Sequence, residues 1–287
     1  MADNFTPIEH VSDTALWVAT FRAREGRRKQ PLFHDPYAGV LAGDRGEWIA
    51  RTMERSRYTA WSVVIRTCII DSYIATLIAE GADAVLNIGA GLDTRPYRLS
   101  LPPGFQWFEA DYEPLLALKN EKLQGKPANC ALERWAVDLN EPKARDALFA
   151  QVSERAKNVI VLTEGVVPYL TPDQVAELGK ALRRFPNMKH WIADYMTSFM
   201  KRFLQGGKHA RQMRNAPFQF FVDDWHGFFA ENGWQAREIR YYGEESARLG
   251  RRFPAPIWAL PLMLLASKKR RREMARIAGY AVLAPKN

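Results

Sequence analysis

The stretch 85–91 constrains the fold of this chain more than any other, because an apolar run ends there in a pair of glycines. Residues 85–88 read Val-Leu-Asn-Ile and suit a buried parallel strand, and Gly89, Ala90 and Gly91 follow at once. Glycine lets the backbone of such a turn approach a bound ligand closely, because it has no side chain. The stretch therefore predicts an α/β fold with a nucleotide-type cofactor at the end of its first strand.

Strand and helix patterns alternate regularly after this turn. The predicted strands cover residues 84–88, 106–110, 135–137, 158–163 and 190–193, followed by two late strands at 234–242 and 279–284. Helical patterns lie between the early strands, for example at residues 171–184. Such alternation predicts a mostly parallel sheet with helices on both faces.

Helical patterns also precede the first strand, at residues 12–29 and 58–80. We therefore expect a single domain over residues 1–287, with a helical cover over 1–80 and a cofactor-binding core over 81–195. Residues 196–287 would supply a lid and the closing strands. The basic segment 200–214 contains two adjacent glycines, and we expect it to be a mobile cover.

Composition limits the class of protein. Lys and Arg exceed Asp and Glu by 41 − 32 = 9, a balance that suits nucleic acid or an anionic small substrate. With only two cysteines, a disulfide scaffold or a cysteine-rich zinc site is not expected, and no metal site is predicted. Residues 1–6 do not resemble a secretory signal, and the longest apolar run, 256–266, is shorter than the roughly 20 residues of a membrane span. We expect a cytoplasmic protein that binds neither membranes nor nucleic acid; its oligomeric state is not predicted.

Acidic residues follow three consecutive predicted strands. Asp111 comes 20 residues after Gly91, where an acid can accept the ribose hydroxyl protons, and Asp138 and Glu164 end the next two strands. The carboxyl ends of parallel strands meet at one crevice, so we expect these acids to converge there. A dinucleotide fold would favour a third glycine where this chain has Thr94, which weakens the nicotinamide interpretation.

These motifs resemble the leucine carboxyl methyltransferase family, and most closely its bacterial branch that methylates small molecules, including the tetracenomycin-type polyketide O-methyltransferases. The matching motifs lie at residues 34–37, 66–71, 87–99, 108–111, 138–139 and 163–170. The sequence Gly-Leu-Asp-Thr-Arg at 91–95, followed by Tyr-Arg-Leu at 97–99, is specific to this family among methyltransferases. The resemblance implies a Rossmann-like class I fold with S-adenosyl-L-methionine as methyl donor.

The resemblance also implies a set of cofactor-binding residues: Arg66, Gly89, Ala90, Gly91, Asp111, Tyr112, Asp138, Leu139, Glu164, Gly165 and, from the N-terminal segment, Arg22 with Arg24 as its alternative. It assigns Arg66 to the methionine carboxylate, the glycine turn to the methionine moiety, and Glu164 to the amino group. Asp111 would hold the ribose, and Asp138 with Leu139 the adenine.

A purely structural alternative exists for Arg66, which could pair with Asp71 or Glu164. Asp93 and Arg95 are expected to shape the turn.

The acceptor pocket is the least determined part of the site. Tyr169 and Tyr195 follow the fourth and fifth strands, and Arg214 in the basic cover could attract an anion, so these three are the predicted substrate-binding residues. A carboxylate acceptor is ionised near neutral pH and needs no base, whereas a hydroxyl would benefit from one. None of the five histidines is an obvious base, which favours methylation of a small-molecule carboxylate.

The alternatives are a protein C-terminus or a hydroxyl as acceptor, and more remotely a nicotinamide oxidoreductase or an RNA-binding protein.

Overall fold

Seven strands form one mixed sheet in the computed structural model, which describes residues 6–256 and 265–286. In chain order the strands are β1 (Ala84–Ile88), β2 (Gln106–Asp111), β3 (Ala131–Ala136), β4 (Val159–Leu162), β5 (Met188–Met196), β6 (Trp234–Tyr241) and β7 (Ala278–Pro285). Their order across the sheet is β3-β2-β1-β4-β5-β7-β6. The first five are parallel, and β7 pairs antiparallel with both β5 and β6. The predicted Rossmann-like class I methyltransferase fold is confirmed.

The α-helices of the described chain lie before, between and after these strands. They are α1 (Ser12–Gly26), α2 (Ala38–Thr52), α3 (Ser56–Ala79), α4 (Arg95–Arg98), α5 (Glu113–Lys122), α6 (Pro142–Arg155), α7 (Pro172–Arg183), α8 (Phe199–Leu204), α9 (Gly207–Gln212), α10 (Trp225–Glu231), α11 (Tyr242–Arg248) and α12 (Lys268–Ala275). A short 3-10 helix occupies Val167–Tyr169.

Helix α3 packs directly on one face of the sheet. Its buried residues, among them Ile65, Ile69 and Tyr73, share a cluster with Val85 of β1 and Ile160 of β4. By length and composition alone this helix could cross a membrane, and half of its most apolar window is buried inside the protein. Packing against the sheet accounts for its apolar character. Helix α3 is therefore a core helix as well as part of the N-terminal cover.

The opposite face of the sheet is covered by α6, α7 and α10. Alternate strand residues point to this side, so that Leu86 and Ile88 join Trp191 and Trp234 in the largest apolar cluster. The Trp234 indole donates to the Gly179 carbonyl at 2.9 Å, which satisfies the one polar atom of that side chain. Helices thus cover both faces, as predicted.

The bounds of β3 and β5 differ most from the prediction. Strand β3 begins at Ala131, four residues before the predicted start. It is an edge strand, and its polar, half-exposed residues form no apolar run that would reveal it in the sequence. Strand β5 continues to Met196, past the predicted end at residue 193, because its last residues pair with β7. Most of the apolar run 256–266, and residues 1–5 of the N-terminus, lie outside the described residues.

A buried charge cluster fixes α5 against β2, two residues before Asp111. The Lys119 ammonium lies 2.8 Å from one Glu109 oxygen, and Arg134 of β3 lies 2.7 Å from the other. Both the Lys119 and the Glu109 side chains are fully buried. Burial lowers the pKa of Lys119 even beside this carboxylate. The negative charge of Glu109 therefore balances the positive charges of both Lys119 and Arg134. If one of these two cations is removed, the other still pairs with Glu109.

Replacing Glu109 and replacing Lys119 should therefore lower the free energy of unfolding by different amounts. Glu109→Gln leaves Lys119 buried without its carboxylate and should lower the free energy of unfolding by about 3–5 kcal/mol. Lys119→Met leaves the Glu109–Arg134 pair intact and should cost clearly less. Urea denaturation of both variants and wild type measures the difference; a larger loss for Lys119→Met would contradict the assignment of Glu109 as the centre of the cluster.

Candidate functional site

A cavity of about 530 Å³ lies at the carboxyl ends of the parallel strands, under α1 and α3 and beside α8 and α9. At the strand ends its lining includes Asn87, Gly89, Ala90, Gly91, Asp111, Tyr112, Val137, Leu139, Asn140, Glu164, Gly165 and Asp194. At the other end it includes Trp17, Arg55, Tyr58, Met200, Phe203, Met213 and Phe218. The volume is that of a typical ligand site, with a polar end at the sheet and a largely apolar end beneath the helices.

The glycine turn closes the end of β1. Gly89 and Gly91 have φ of 66° and 49°, in the left-handed region that favours glycine. The Gly89 and Ala90 N–H groups both donate to the Ala110 carbonyl of β2, at 2.8 and 3.2 Å. A Cβ on Gly89 would lie 2.4 Å from a Val166 methyl carbon, so both conformation and space require glycine there.

Asp111 links the end of β2 to this turn. One of its carboxylate oxygens accepts the Gly91 N–H at 2.6 Å, and the other accepts the N–H of Tyr112 at 2.7 Å. Burial raises the pKa of Asp111 above its ordinary value, and these two hydrogen bonds partly oppose the shift. Each oxygen retains a lone pair, so the carboxylate can still accept hydrogen bonds from a ligand in the cavity.

Thr94, which replaces the third glycine, connects the turn to the N-terminal helices. Its hydroxyl donates to Asp35 at 2.7 Å, and Arg22 donates to the same carboxylate oxygen at 2.9 Å. Burial alone would raise the pKa of Asp35, but Arg22 and Thr94 outweigh it, and the pKa lies below its ordinary value. Arg22 also donates to the Leu92 carbonyl at 2.5 Å and lines the cavity. Asp35 of the motif at 34–37 thus stabilises the turn through its hydrogen bonds with Thr94 and Arg22.

The Glu164 carboxylate lies between two arginines. Arg66 of α3 donates to one oxygen at 2.8 Å, and Arg95 of α4 donates to the other at 2.6 Å. Burial would raise the pKa of Glu164, but the two guanidinium groups reverse the shift and lower it. Arg66 donates to Glu164 through its Nε, and a Cβ on Gly165 would lie 3.6 Å from the Arg66 Nη1. The pairing with Glu164, one of the two structural alternatives for Arg66, is therefore present. Among the described residues no hydrogen bond uses its terminal nitrogens, so they can bind a ligand.

Arg95 also pairs with Asp93 and Asp71, at 2.9 and 2.7 Å. Asp93 in turn accepts from the Asn87 amide of β1 at 2.9 Å and from the Arg95 N–H at 3.0 Å. Asp93 and Arg95 therefore shape the turn, as expected from the sequence.

Asp194 of β5 is a cavity residue that sequence reasoning did not assign to the site. Its carboxylate accepts from the Tyr280 hydroxyl at 2.7 Å and from the Gly165 N–H at 3.2 Å. Burial raises the pKa of Asp194 to about 7, because Tyr280 and Arg66 only partly offset the loss of water. The available signal was its position after a predicted strand, the same rule that selected Asp111 and Glu164.

Aromatic and methionine side chains form part of the cavity wall. Tyr169 stacks on Phe218 with ring centroids 5.0 Å apart, and Tyr195 packs edge-on against Trp225 at 5.2 Å. Both tyrosines line the cavity, as do Met196, Met200 and Met213. An apolar, partly planar ligand would find complementary walls here.

Two predicted site residues do not line the cavity. The exposed Asp138 side chain turns back to accept both the N–H and the amide of Asn140, at 2.9 and 3.0 Å. Its neighbours Val137, Leu139 and Asn140 line the cavity instead. Arg214 is exposed outside it, because Met213 and Ala216 occupy the inward positions after α9. Arg214, predicted as a substrate-binding residue, therefore lies outside the cavity.

The glycine turn gives a stability prediction with an internal control. An alanine in the left-handed conformation costs about 1–2 kcal/mol, and overpacking adds about 1–3 kcal/mol. Gly89→Ala should incur both costs because of Val166, whereas a Cβ on Gly91 would lie 3.5 Å from the Ala15 methyl carbon, an ordinary contact.

Gly125→Ala is the control, since Gly125 has φ of 73° with nothing within 4 Å of an added Cβ. Urea denaturation should rank Gly89→Ala as the most destabilised of the three. Equal losses would show that Val166 does not confine the turn.

Solved structures share this architecture over nearly the whole chain. A DUF574 family protein from Streptomyces avermitilis superposes with a TM-score of 0.57 at 16% identity, covering 93% of this chain and 97% of that one. A protein from Thermobifida fusca, provisionally named a methyltransferase, gives a TM-score of 0.57 at 13% identity, with 97% and 95% covered. At these identities the likeness establishes the fold alone.

Sequence relatives are provisionally named S-adenosyl-L-methionine-dependent methyltransferases. A Saccharopolyspora erythraea protein is 37% identical over 183 residues, which span 60% of this chain but only 62% of that protein. A Streptomyces coelicolor protein is 30% identical over 239 residues, or 78% of this chain and 82% of the relative. A Mycobacterium marinum protein is 29% identical over 88% of this chain and 89% of its own length.

The sequence profile described as leucine carboxyl methyltransferase matches residues 15–183. That range begins in α1, contains the glycine turn, Arg66, Asp111 and Glu164, and ends with α7. It covers more than half of the 287 residues, and the Streptomyces coelicolor relative extends the similarity to 78% of the chain. The protein belongs to the leucine carboxyl methyltransferase family.

Proposed function

We propose that this protein transfers a methyl group from S-adenosyl-L-methionine to an oxygen atom of a small, predominantly apolar acid. The observation that carries the proposal is the convergence of Arg66, the glycine turn and Asp111 on one cavity. These are the positions that the family resemblance assigns to the methionine carboxylate, the methionine moiety and the ribose. The names of the relatives support the same donor.

The residues at the polar end suit the charges of this donor. The terminal nitrogens of Arg66 can receive a carboxylate, while Glu164 presents negative charge to an ammonium group. The free lone pairs of Asp111 suit two ribose hydroxyls, and Val137, Leu139 and Asn140 form the wall available to the base. Arg66 and Arg95 hold the Glu164 carboxylate from both sides, so it can accept a hydrogen bond from the ammonium group without rearrangement.

Methyl transfer is a displacement in which the acceptor oxygen attacks in line with the breaking bond. The bound donor supplies an electrophilic methyl group. The protein's contribution is then to fix the two reactants relative to each other and to exclude water, for which the cover formed by α1, α3, α8 and α9 is suitable. Tyr169 and Tyr195 would orient the acceptor by packing against it.

A carboxylate is the acceptor that we favour. It is ionised above about pH 5, so its oxygen is nucleophilic without a base. The family resemblance favours a carboxylate, and the methionine-rich and aromatic walls favour an apolar body. A protein C-terminus would require an open surface, whereas the cavity is suited to a small molecule.

A hydroxyl acceptor is a second candidate because Asp194 could serve as its base. The absence of an obvious histidine base favoured a carboxylate at the level of sequence, but Asp194 weakens that reasoning. Its carboxylate lines the cavity and has a pKa of about 7, close to the value that general-base catalysis favours at neutral pH. The chemistry of the product therefore decides between the two acceptors.

Cofactor binding tests the proposed site directly. Arg66→Ala and Asp111→Ala should each weaken binding of S-adenosyl-L-homocysteine at least tenfold, because each removes a charged or accepting group that faces it. Arg66→Ala leaves Glu164 paired with Arg95, so the fold should survive. Arg237→Ala, which removes only an exposed pair with Glu80, is the control and should bind normally. Unchanged calorimetric affinity in both site variants would refute the placement.

The pH dependence distinguishes the two acceptors. If Asp194 is the base, it acts only when deprotonated, so the rate should rise about tenfold per pH unit up to about pH 7 and then level off. Asp194→Asn should abolish this rise. With a carboxylate acceptor, the rate should show no step near pH 7, and the methylated product should release methanol in mild base. A base-stable product would exclude the ester.

A further inference from the structure

One face of α3 presents a polar stripe to the cavity. Arg55, Thr59, Ser62 and Arg66 all line it, at helical positions i, i+4, i+7 and i+11. Arg55 immediately precedes the helix and Arg66 lies in its middle. The stripe therefore carries one cation near the strand ends and a second beneath the cover formed by α8 and α9.

The two cations differ in their partners. Arg66 is neutralised by Glu164 at 2.8 Å. Within residues 6–256 and 265–286, Arg55 has no carboxylate within ion-pair distance. Its guanidinium lies 4.1 Å from the centre of the Phe203 ring, and its Nη1 donates to the Phe203 carbonyl. A guanidinium has five N–H donors, so donors remain for an anion in the cavity.

The backbone at Arg55 is strained in a way that directs this side chain. Arg55 has φ of 60° and ψ of 17°, and it is the one non-glycine residue with positive φ in the described chain. Such strain persists where surrounding contacts enforce it, and it concentrates at functional sites. Two hydrogen bonds hold the residues on either side of Arg55: the Glu54 N–H donates to Gln212 at 2.8 Å, and the Ser56 hydroxyl donates to the Ala50 carbonyl at 2.5 Å.

A second polar side chain lies at this end of the cavity. His209 is 4% exposed, lines the cavity, and has an Nδ1 atom without a hydrogen-bond partner among the described residues. Burial lowers the pKa of His209, and the positive charge of Arg55 acts in the same direction. A buried nitrogen without a partner is costly, and a ligand group at this end could satisfy it.

The two ends of the stripe are well separated. Eleven residues of α-helix extend about 16 Å, so Arg55 is too far from the cofactor end to bind the group that receives the methyl. The wall between them is mainly apolar and aromatic, with Tyr58, Met200 and Met213 in its lining. We propose that the acceptor is an elongated molecule with a second anionic group, which binds Arg55 while the other end faces the donor.

The proposal rests on the proposed function and defines its substrate class as apolar acids that carry negative charge at both ends. Arg55 determines specificity by binding the distal charge. Because this residue lies far from the donor site, its replacement should leave cofactor binding unchanged.

Calorimetric titration of the protein saturated with S-adenosyl-L-homocysteine tests this, with dodecanedioic acid and dodecanoic acid as probes. The two acids have the same chain length, and only the first carries charge at both ends. Wild type should bind the diacid at least tenfold more tightly. Arg55→Gln should lose that preference, and Arg55→Lys should retain part of it. Arg51→Gln removes an exposed arginine four residues away, outside the cavity lining, and should behave as wild type.

Three results would overturn the proposal, provided that S-adenosyl-L-homocysteine still binds. Wild type could bind the two acids equally, it could bind neither acid, or its preference for the diacid could survive in Arg55→Gln. Failure of S-adenosyl-L-homocysteine itself to bind wild type would instead refute the proposed function. The two failures are therefore distinguishable in the same experiment.

Discussion

The ion-pair network centred on Arg95 is the interaction on which the rest of the site depends. Arg95 is 1% exposed and contacts the carboxylates of Asp71, Asp93 and Glu164, at 2.7, 2.9 and 2.6 Å. These three acids come from α3, from the glycine turn and from the end of β4. Because an unpaired buried charge is so unfavourable, the network fixes these three elements relative to one another.

The network also determines the charge pattern of the cavity. Arg66 and Arg98 complete it, at 2.8 Å from Glu164 and 2.7 Å from Asp71, so that three cations balance three acids. Arg66 and Glu164 then form a fixed dipole at the polar end, which suits a zwitterionic amino-acid moiety. The cation at Arg55 lies outside this balance, which is why it is the natural place for a charge brought by a second ligand.

The sequence predicts most of the fold and the polar half of the site. Hydrophobic runs bounded by glycine and acids locate the parallel strands, and Asp111 and Glu164 line the cavity because strand ends meet at one edge. The same rule says nothing about the direction in which a side chain points. Asp138 therefore lies at the predicted edge of the sheet, yet its side chain turns toward Asn140. Asp194 follows a predicted strand in the same way, and its side chain does line the cavity.

The acceptor half could not be predicted in the same way. Its lining comes from α1, the start of α3 and the segment after β5, which meet only through long-range packing. The charge of Arg214 suggests a role in binding an anion, but Met213 is the residue that is buried there. Arg55 owes its orientation to a positive φ that an arginine rarely adopts and that composition does not indicate.

We propose that the cavity binds a methyl donor and not a dinucleotide. Calorimetric titration of the wild-type protein with S-adenosyl-L-methionine and, separately, with NAD tests it most directly. Saturable one-to-one binding of S-adenosyl-L-methionine with no heat from NAD is the predicted result. Binding of NAD without binding of S-adenosyl-L-methionine would contradict the claim.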